Sequence, residues 1–194
     1  MALSSSDIRK AAESIGVELC AIKAVVDVES NGSGFLPDGR AKILFEGHIF
    51  WQQLQKRGID PIPYAAKYPN IIYPKFDKFQ YRGGTAEWGR LSLASQINEP
   101  AAYSSASYGL FQIMGFNYAA AGFPSVRSFV DAQGKSEAEQ LAAFCTFMRS
   151  EGLIPFLAGK DWTGFARRYN GPAYAENQYD IKLKRAYERC KAAA

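Results

Sequence analysis

The sequence predicts a mainly α-helical fold with one small β-hairpin, an α+β arrangement in a single globular domain whose two lobes flank a cleft. Three observations carry that expectation. Most apolar residues recur at helical spacing between serine caps and glycine stops. One short apolar run, residues 42–46, follows a Pro-Asp-Gly turn. The 194 residues, 47% of them hydrophobic, suffice for one well-buried core and not for several.

Taken in order, Ser4, Ser5 and Ser6 offer N-cap hydroxyls to a first helix whose Ile8, Ala11, Ala12 and Ile15 share a face, and Gly16 stops it. A second helix, from about Glu18 to Glu29, is apolar on most sides and therefore central and buried. Asn31-Gly32-Ser33-Gly34 halts it, Pro37-Asp38-Gly39 turns the chain, and Lys42-Ile43-Leu44-Phe45-Glu46 reads as a strand. Ile49, Phe50 and Leu54 mark a helix over residues 48–56. Residues 60–79 hold prolines and tyrosines without periodicity, so a long irregular loop is expected there, of the kind that often faces substrate. Gly83-Gly84 turns into a helix through Trp88, Leu91 and Leu93. Ser125 caps residues 126–133, and Ser136 with Glu139 makes a capping box for a helix striped by Leu141, Phe144, Cys145 and Met148. A last helix, residues 179–191, sets Lys182, Lys184, Arg185, Arg189 and Lys191 beside Ile181, Leu183, Ala186 and Tyr187. Such a helix packs its apolar side and solvates its charges, and its basic face also suits contact with an anionic outer-membrane surface.

Composition narrows the function classes. No N-terminal segment joins basic residues to an apolar run, and no stretch approaches the ~18 apolar residues of a membrane span, so the product is expected in the cytosol unless something else releases it. Three widely spaced cysteines, Cys20, Cys145 and Cys190, argue by their odd number against a disulfide framework and fit a reducing compartment, with Cys20 and Cys145 in the core. The net charge of +4 favours an anionic polymer or surface without pointing to nucleic acid. His48 is the single histidine, too few for a zinc ligand set or a serine or cysteine hydrolase of the usual kind, and no metal or cofactor is expected.

The candidate chemistry rests on carboxylates. Positions 3, 7 and 10 before Glu29 are Val26, Ile22 and Leu19, so Glu29 extends an apolar helical face, where poor solvation favours its neutral form and suits it to act as a general acid. The plainer alternative is a helix-end glutamate reaching solvent. Glu46 lies eight residues after Asp38 and Glu29 nine before it, so a reversal there sets the two nearly opposite, as a pair of glycoside-cleaving acids requires. The alternative for Glu46 is the first turn of the next helix, favoured by its dipole. Glu87, a third candidate, is expected to pair with an arginine such as Arg90.

Two further stretches complete a pattern. Ser107-Tyr108-Gly109-Leu110-Phe111-Gln112-Ile113-Met114-Gly115 resembles the serine and Gly-Leu-Met-Gln signature of goose-type lysozymes and soluble lytic transglycosylases, Arg168-Tyr169-Asn170-Gly171-Pro172 resembles their Ala-Tyr-Asn-Ala-Gly segment, and Glu29-Ser30 resembles their Glu-Ser. Over essentially the whole chain, including residues 42–48, the Gly83-Gly84-Thr85-Ala86-Glu87 turn and residues 105–116, it is more closely similar to the N-acetylmuramidase family of phage endolysins. That resemblance implies a lysozyme-like fold in one catalytic domain without a separate wall-binding module. It implies Glu29 as general acid and Glu46 as second carboxylate, with Gln112, Tyr169 and Asn170 as cleft residues that hold sugar or orient Glu29. Ser107, Gly109, Tyr118, Tyr179 and His48 are further candidates for binding peptidoglycan strands: a glycine backbone admits a sugar ring closely, and Tyr118 and Tyr179 suit either the groove or a buried place with a satisfied hydroxyl. The resemblance further implies a monomer made in the host cytoplasm and passed to the wall by a separate pore. A transglycosylase forming 1,6-anhydro ends, and a module that binds without cutting, are the alternatives. Glu46 favours hydrolysis, because a hydrolase must activate water.

Overall fold

The computed structural model describes residues 3–30 and 32–193, with all side chains among them except those of residues 172 and 173. Asn31, placed by the sequence in the segment that halts the second helix, lies outside the described residues. Helices α1 (Ser5–Ile15) and α2 (Leu19–Glu29) precede strand β1 (Ile43–Phe45). Helices α3 (Gly47–Gln55), α4 (Ile62–Lys67) and α5 (Ala86–Ser104) follow, then strands β2 (Ala106–Tyr108) and β3 (Ile113–Met114). The remainder is α6 (Val126–Gln133), α7 (Glu137–Ser150), α8 (Ile154–Ala158), α9 (Trp162–Asn170) and α10 (Tyr179–Ala192). The fold is mainly helical with a small antiparallel sheet, as the sequence predicts.

Helix boundaries follow local chemistry. Ser4 and Asp7 form a reciprocal box at the start of α1, and Gly16 ends the helix in the left-handed region at φ 68°. Ser125 caps α6 as expected, sharing bonds with Ser128. At α7, the Ser136 hydroxyl accepts from the Glu139 N–H, but the reciprocal bond from Glu139 is missing, so half of the expected box is made. Helix α5 runs beyond Leu93 and breaks at Asn98 (φ −158°, ψ 104°). The Asn98 amide oxygen accepts the Ala101 N–H at 2.9 Å and starts a second segment in which Pro100 sits near the N-terminus, where its missing N–H costs nothing. Residues 60–79 are not wholly irregular: they hold α4 and a 3₁₀ turn at Lys78–Gln80. No residue of α4 is buried, so it has no apolar stripe for periodicity to reveal.

Chain reversal about Asp38 is present, with the Lys42 N–H donating to Gly34 O at 2.8 Å and the Leu36 N–H to Arg40 O at 2.8 Å. The strand after the turn nevertheless finds its partner elsewhere. β1 pairs antiparallel with β2, Leu44 opposite Ser107, and β2 pairs with β3, Ser107 opposite Met114. The hairpin proper is β2–β3.

Helix α2 lies at the centre, with Ala21, Ile22, Ala24 and Val25 fully buried. α10 crosses it, burying Leu183 and Ala186. Its Lys191 ammonium and Tyr187 hydroxyl donate to Glu18 at 2.8 and 2.9 Å and hold that carboxyl down to about 2. This packing overturns one expectation: Cys20 is not an unpaired core thiol but is bonded to Cys190. The partners are 170 residues apart in sequence, and only the return of α10 along α2 brings their Cα atoms to 5.5 Å. Cys145 is buried and free, as expected. No helix among the described residues is long and apolar enough to cross a membrane.

Candidate active site

Glu29 ends α2 and opens into a groove of about 300 Å³ lined by Phe111, Gln112, Met114, Asn117, Tyr169 and Asn170. Ile22 and Val26 below it are buried, so the apolar face runs up to the carboxyl as its spacing predicts. Burial alone raises that carboxyl from its ordinary 4.5 to about 7. Its Oε1 is buried and has no hydrogen-bond partner, and the same holds for Asn170 Nδ2 in the same groove. Buried polar atoms are seldom left so. Tyr169 stacks against Phe165 and meets Phe144 edge-on. Burial, and then the charge of Glu29, push the Tyr169 hydroxyl well above its usual range, and the same two causes raise Tyr179. Both phenols therefore stand close to Glu29 as neutral groups.

The turn between β2 and β3 supplies the opposite wall. Gln112 sits in the left-handed region at φ 49° and spends its amide inside the turn, accepting from the Ser107 hydroxyl at 2.8 Å and donating to Gly109 O at 2.8 Å. Ser107 thus acts on the groove through Gln112. At Gly109 (φ 73°) a Cβ would lie 2.6 Å from Gln133 Oε1 and 2.7 Å from Gln140 Cδ, so this glycine is required by the core behind the turn. Tyr118 packs partly buried against the core.

Glu46 is the N-cap residue of α3, so it does stand at the N-terminal end of that helix where the dipole favours an acid, although its side chain makes no capping bond. Its Oε2 instead accepts from the Tyr81 hydroxyl at 2.5 Å and lies 3.4 Å from His48 Nδ1. Burial, then that bond, push the Tyr81 hydroxyl up and keep it a donor. The Glu46 N–H donates to Ser105 O at 2.9 Å, continuing the β1–β2 ladder by one residue. Alternation along that ladder puts Glu46 on the same sheet face as Leu44, Ser107 and Met114, while Ile43, Phe45 and Tyr108 face the core. Met114 from that face and Ile113 from the other both line the Glu29 groove, whereas Glu46 is not among its lining residues.

Glu87 pairs with Arg90 at 2.8 Å, as expected, with both side chains buried. The pair does more than neutralise itself. Glu87 accepts from the N–H groups of Phe45, Arg82 and Gly83, while Arg90 donates to Phe45 O and Asn70 O. One buried ion pair therefore fixes the residue before Glu46 and the residue after Tyr81. Burial works to raise the Glu87 carboxyl, but the two turn N–H groups and Arg90 outweigh it and hold it below its ordinary value.

Several contributors escaped the sequence reading. Tyr81, two residues before the Gly83-Gly84 turn, is not singled out by the sequence. Asn117 lines the groove from the 3₁₀ turn after β3. Glu137 accepts from the Gly34 N–H at 2.7 Å, and Gln140 accepts from the Leu110 N–H at 2.8 Å while donating to Gln133 O. These two anchor the segment after Glu29 and the turn before Gln112. A signal for them existed: positions 137 and 140 precede the apolar stripe residues Leu141 and Phe144 by four, which places polar side chains on a buried face.

The sequence model of the N-acetylmuramidase family matches residues 18–191. The crystal structure of Burkholderia AP3 phage endolysin superposes with a TM-score of 0.90 at 48% identity, covering 96% of this chain and 71% of that one. No curated protein sequence matches. With the family match running from the start of α2 through α10, and so through both carboxylates and the tyrosine-asparagine segment of α9, this protein belongs to the N-acetylmuramidase family.

Proposed function

We propose that this muramidase, a peptidoglycan hydrolase by family, cleaves the β-1,4 bond between N-acetylmuramic acid and N-acetylglucosamine with Glu29 as general acid and Glu46 as the base that activates water. The observation that carries the reading is the Glu29 carboxyl, buried without a partner in the groove and neutral up to about pH 7. Glu29 passes its proton to the glycosidic oxygen as the bond to the anomeric carbon breaks. Glu46 takes a proton from the water that attacks that carbon, and Tyr81, bonded to Glu46 Oε2, holds the carboxylate in place. The unpartnered Asn170 amide is a donor for a substrate oxygen beside Glu29. Tyr169 bounds the groove as a neutral wall with Tyr179 near Glu29, Gln112 lines the opposite wall, and Ser107 and Gly109 hold that turn in place.

In this reading the 194 residues act as one monomeric catalytic domain in bacterial lysis of the endolysin kind. The protein is made in the host cytoplasm and reaches the wall through a separate pore. The Cys20–Cys190 bond then closes on the oxidising side. The exposed Lys182, Lys184, Arg185 and Arg189 of α10 face outward toward an anionic outer membrane.

Mass spectrometry of purified peptidoglycan digested by the wild type, Glu29→Gln and Glu46→Gln tests the proposal. Reducing N-acetylmuramic acid ends from the wild type, lost in both variants, are expected. Release of 1,6-anhydro ends would make the enzyme a transglycosylase, and indifference to Glu29→Gln would remove the general acid.

A further inference from the structure

Phe76 stands out among the aromatic side chains. It is 64% exposed, yet its ring is held on two sides, edge-on to His48 at 5.5 Å between centroids and to Tyr81 at 6.1 Å. Those are the two side chains that touch Glu46. His48 Nδ1 is buried and has no hydrogen-bond partner, while Tyr73 stacks on the other side of its ring at 6.4 Å. An exposed apolar ring, the phenol of Tyr81 and a carboxylate that is 16% exposed, with His48 Nδ1 buried 3.4 Å from its Oε2, thus converge in one place. The groove at Glu29, about 300 Å³, is at the small end for a ligand pocket and cannot hold a polysaccharide that continues on both sides of the cut bond.

We infer that Phe76, with Tyr81 and His48, forms a sugar-stacking subsite on the Glu46 side of the groove, taking one pyranose ring of the glycan strand. The inference rests on the muramidase reading above and adds where the strand is gripped. A pyranose presents a face of C–H groups that covers an aromatic ring, and hydroxyl or N-acetyl groups at its rim that reach a neighbouring phenol or carboxylate. Lys75 and Lys78, exposed on either side of Phe76 in sequence, suit the carboxylates of peptidoglycan peptides. A lipid surface is the poorer occupant, because seating Phe76 in hydrocarbon would carry the neighbouring Glu46 carboxylate toward a medium that penalises charge. Phe79 serves as an internal comparison. It is 80% exposed in the same loop, but its ring lies under the Lys78 ammonium at 5.5 Å rather than against His48 or Tyr81.

The test is calorimetric titration of a tetramer of N-acetylglucosamine into the full chain carrying Glu29→Gln, with and without Phe76→Ala or Phe79→Ala, together with KM and kcat on peptidoglycan in the Glu29 background. Phe76→Ala is expected to weaken binding and raise KM roughly three- to tenfold with kcat held within about twofold, Phe76→Trp to restore both, and Phe79→Ala to change neither. Absence of tetramer binding by the parent, unchanged affinity in Phe76→Ala, or an equal loss in Phe79→Ala overturns the subsite. So does a loss confined to binding of phosphatidylglycerol vesicles. Failure of the muramidase reading itself would show separately, as a wild type that does not cut peptidoglycan.

Discussion

Glu29 and Glu46 are the same side chain held by opposite means. Glu29 closes a buried helix that α10 packs along and Cys190 ties down, and the buried Oε1 of its carboxyl has no hydrogen-bond partner. Glu46 sits where a strand ends, on the border of a loop rich in exposed aromatics, and receives a hydroxyl from Tyr81 with His48 beside it. Withholding partners keeps one acid protonated. Supplying a donor orients the other carboxyl group. In the proposed mechanism it is environment rather than residue type that separates the acid from the base.

Breaking the buried side should cost most. Glu29→Gln is expected to lower kcat by about 10³ to 10⁴, the upper range for a general acid, with KM little changed. In the wild type, kcat should fall as pH rises through about 7, where Glu29 loses its proton. A limb near the ordinary 4.5 instead would refute the burial argument. Glu46→Gln should cost about 10² to 10³, because water remains in the site without its base.

The scaffold beneath Glu29 sharpens the contrast. Replacing Cys190 by serine should lower unfolding free energy by about 2 to 4 kcal/mol in denaturant titrations under non-reducing conditions, with kcat per folded molecule retained. An equal loss of kcat would mean that the bond positions Glu29 directly. Glu29 itself is a source of instability. Between pH 4.5 and about 7 the unfolded chain releases the proton that the folded chain keeps, so stability falls as pH rises through that window and levels off above it. Glu29→Gln removes this dependence, and should match the wild type near pH 4 and exceed it by up to roughly 3 kcal/mol above pH 7.

The smallest effect belongs to the exposed side. Tyr81→Phe removes one hydrogen bond to Glu46 and should lower kcat about tenfold, the value of a bond to a charged group. A loss as large as that of Glu46→Gln would place Tyr81 in the chemistry itself.

What could be read from the chain in advance were features whose cause is local. Ser4, Gly16, Ser125 and Ser136 mark helix ends because a hydroxyl or a left-handed residue satisfies backbone groups within three or four positions. Glu29 announced itself because helical period alone sets a carboxyl at the end of an apolar face. Glu87 and Arg90 were legible as a pair three residues apart on one helix, but not as the clamp that fixes the residues beside Glu46 and Tyr81, since the backbone groups they bind come from other segments.

The same division accounts for the corrections. The turn at Asp38 was visible, yet the partner of β1 arrives about sixty residues later. Cys20 and Cys190 looked unrelated until α10 returned along α2. Gln133 and Gln140 fill the space behind Gly109, a packing demand that the neighbouring sequence does not announce. By itself the sequence determined the helices, their caps and the acid at the close of α2, because hydrogen bonding and periodicity act over a few residues. Only the tertiary structure decided which strand pairs with β1, which thiols meet and which phenol serves Glu46, because those contacts join segments whose separation along the chain carries no local signal.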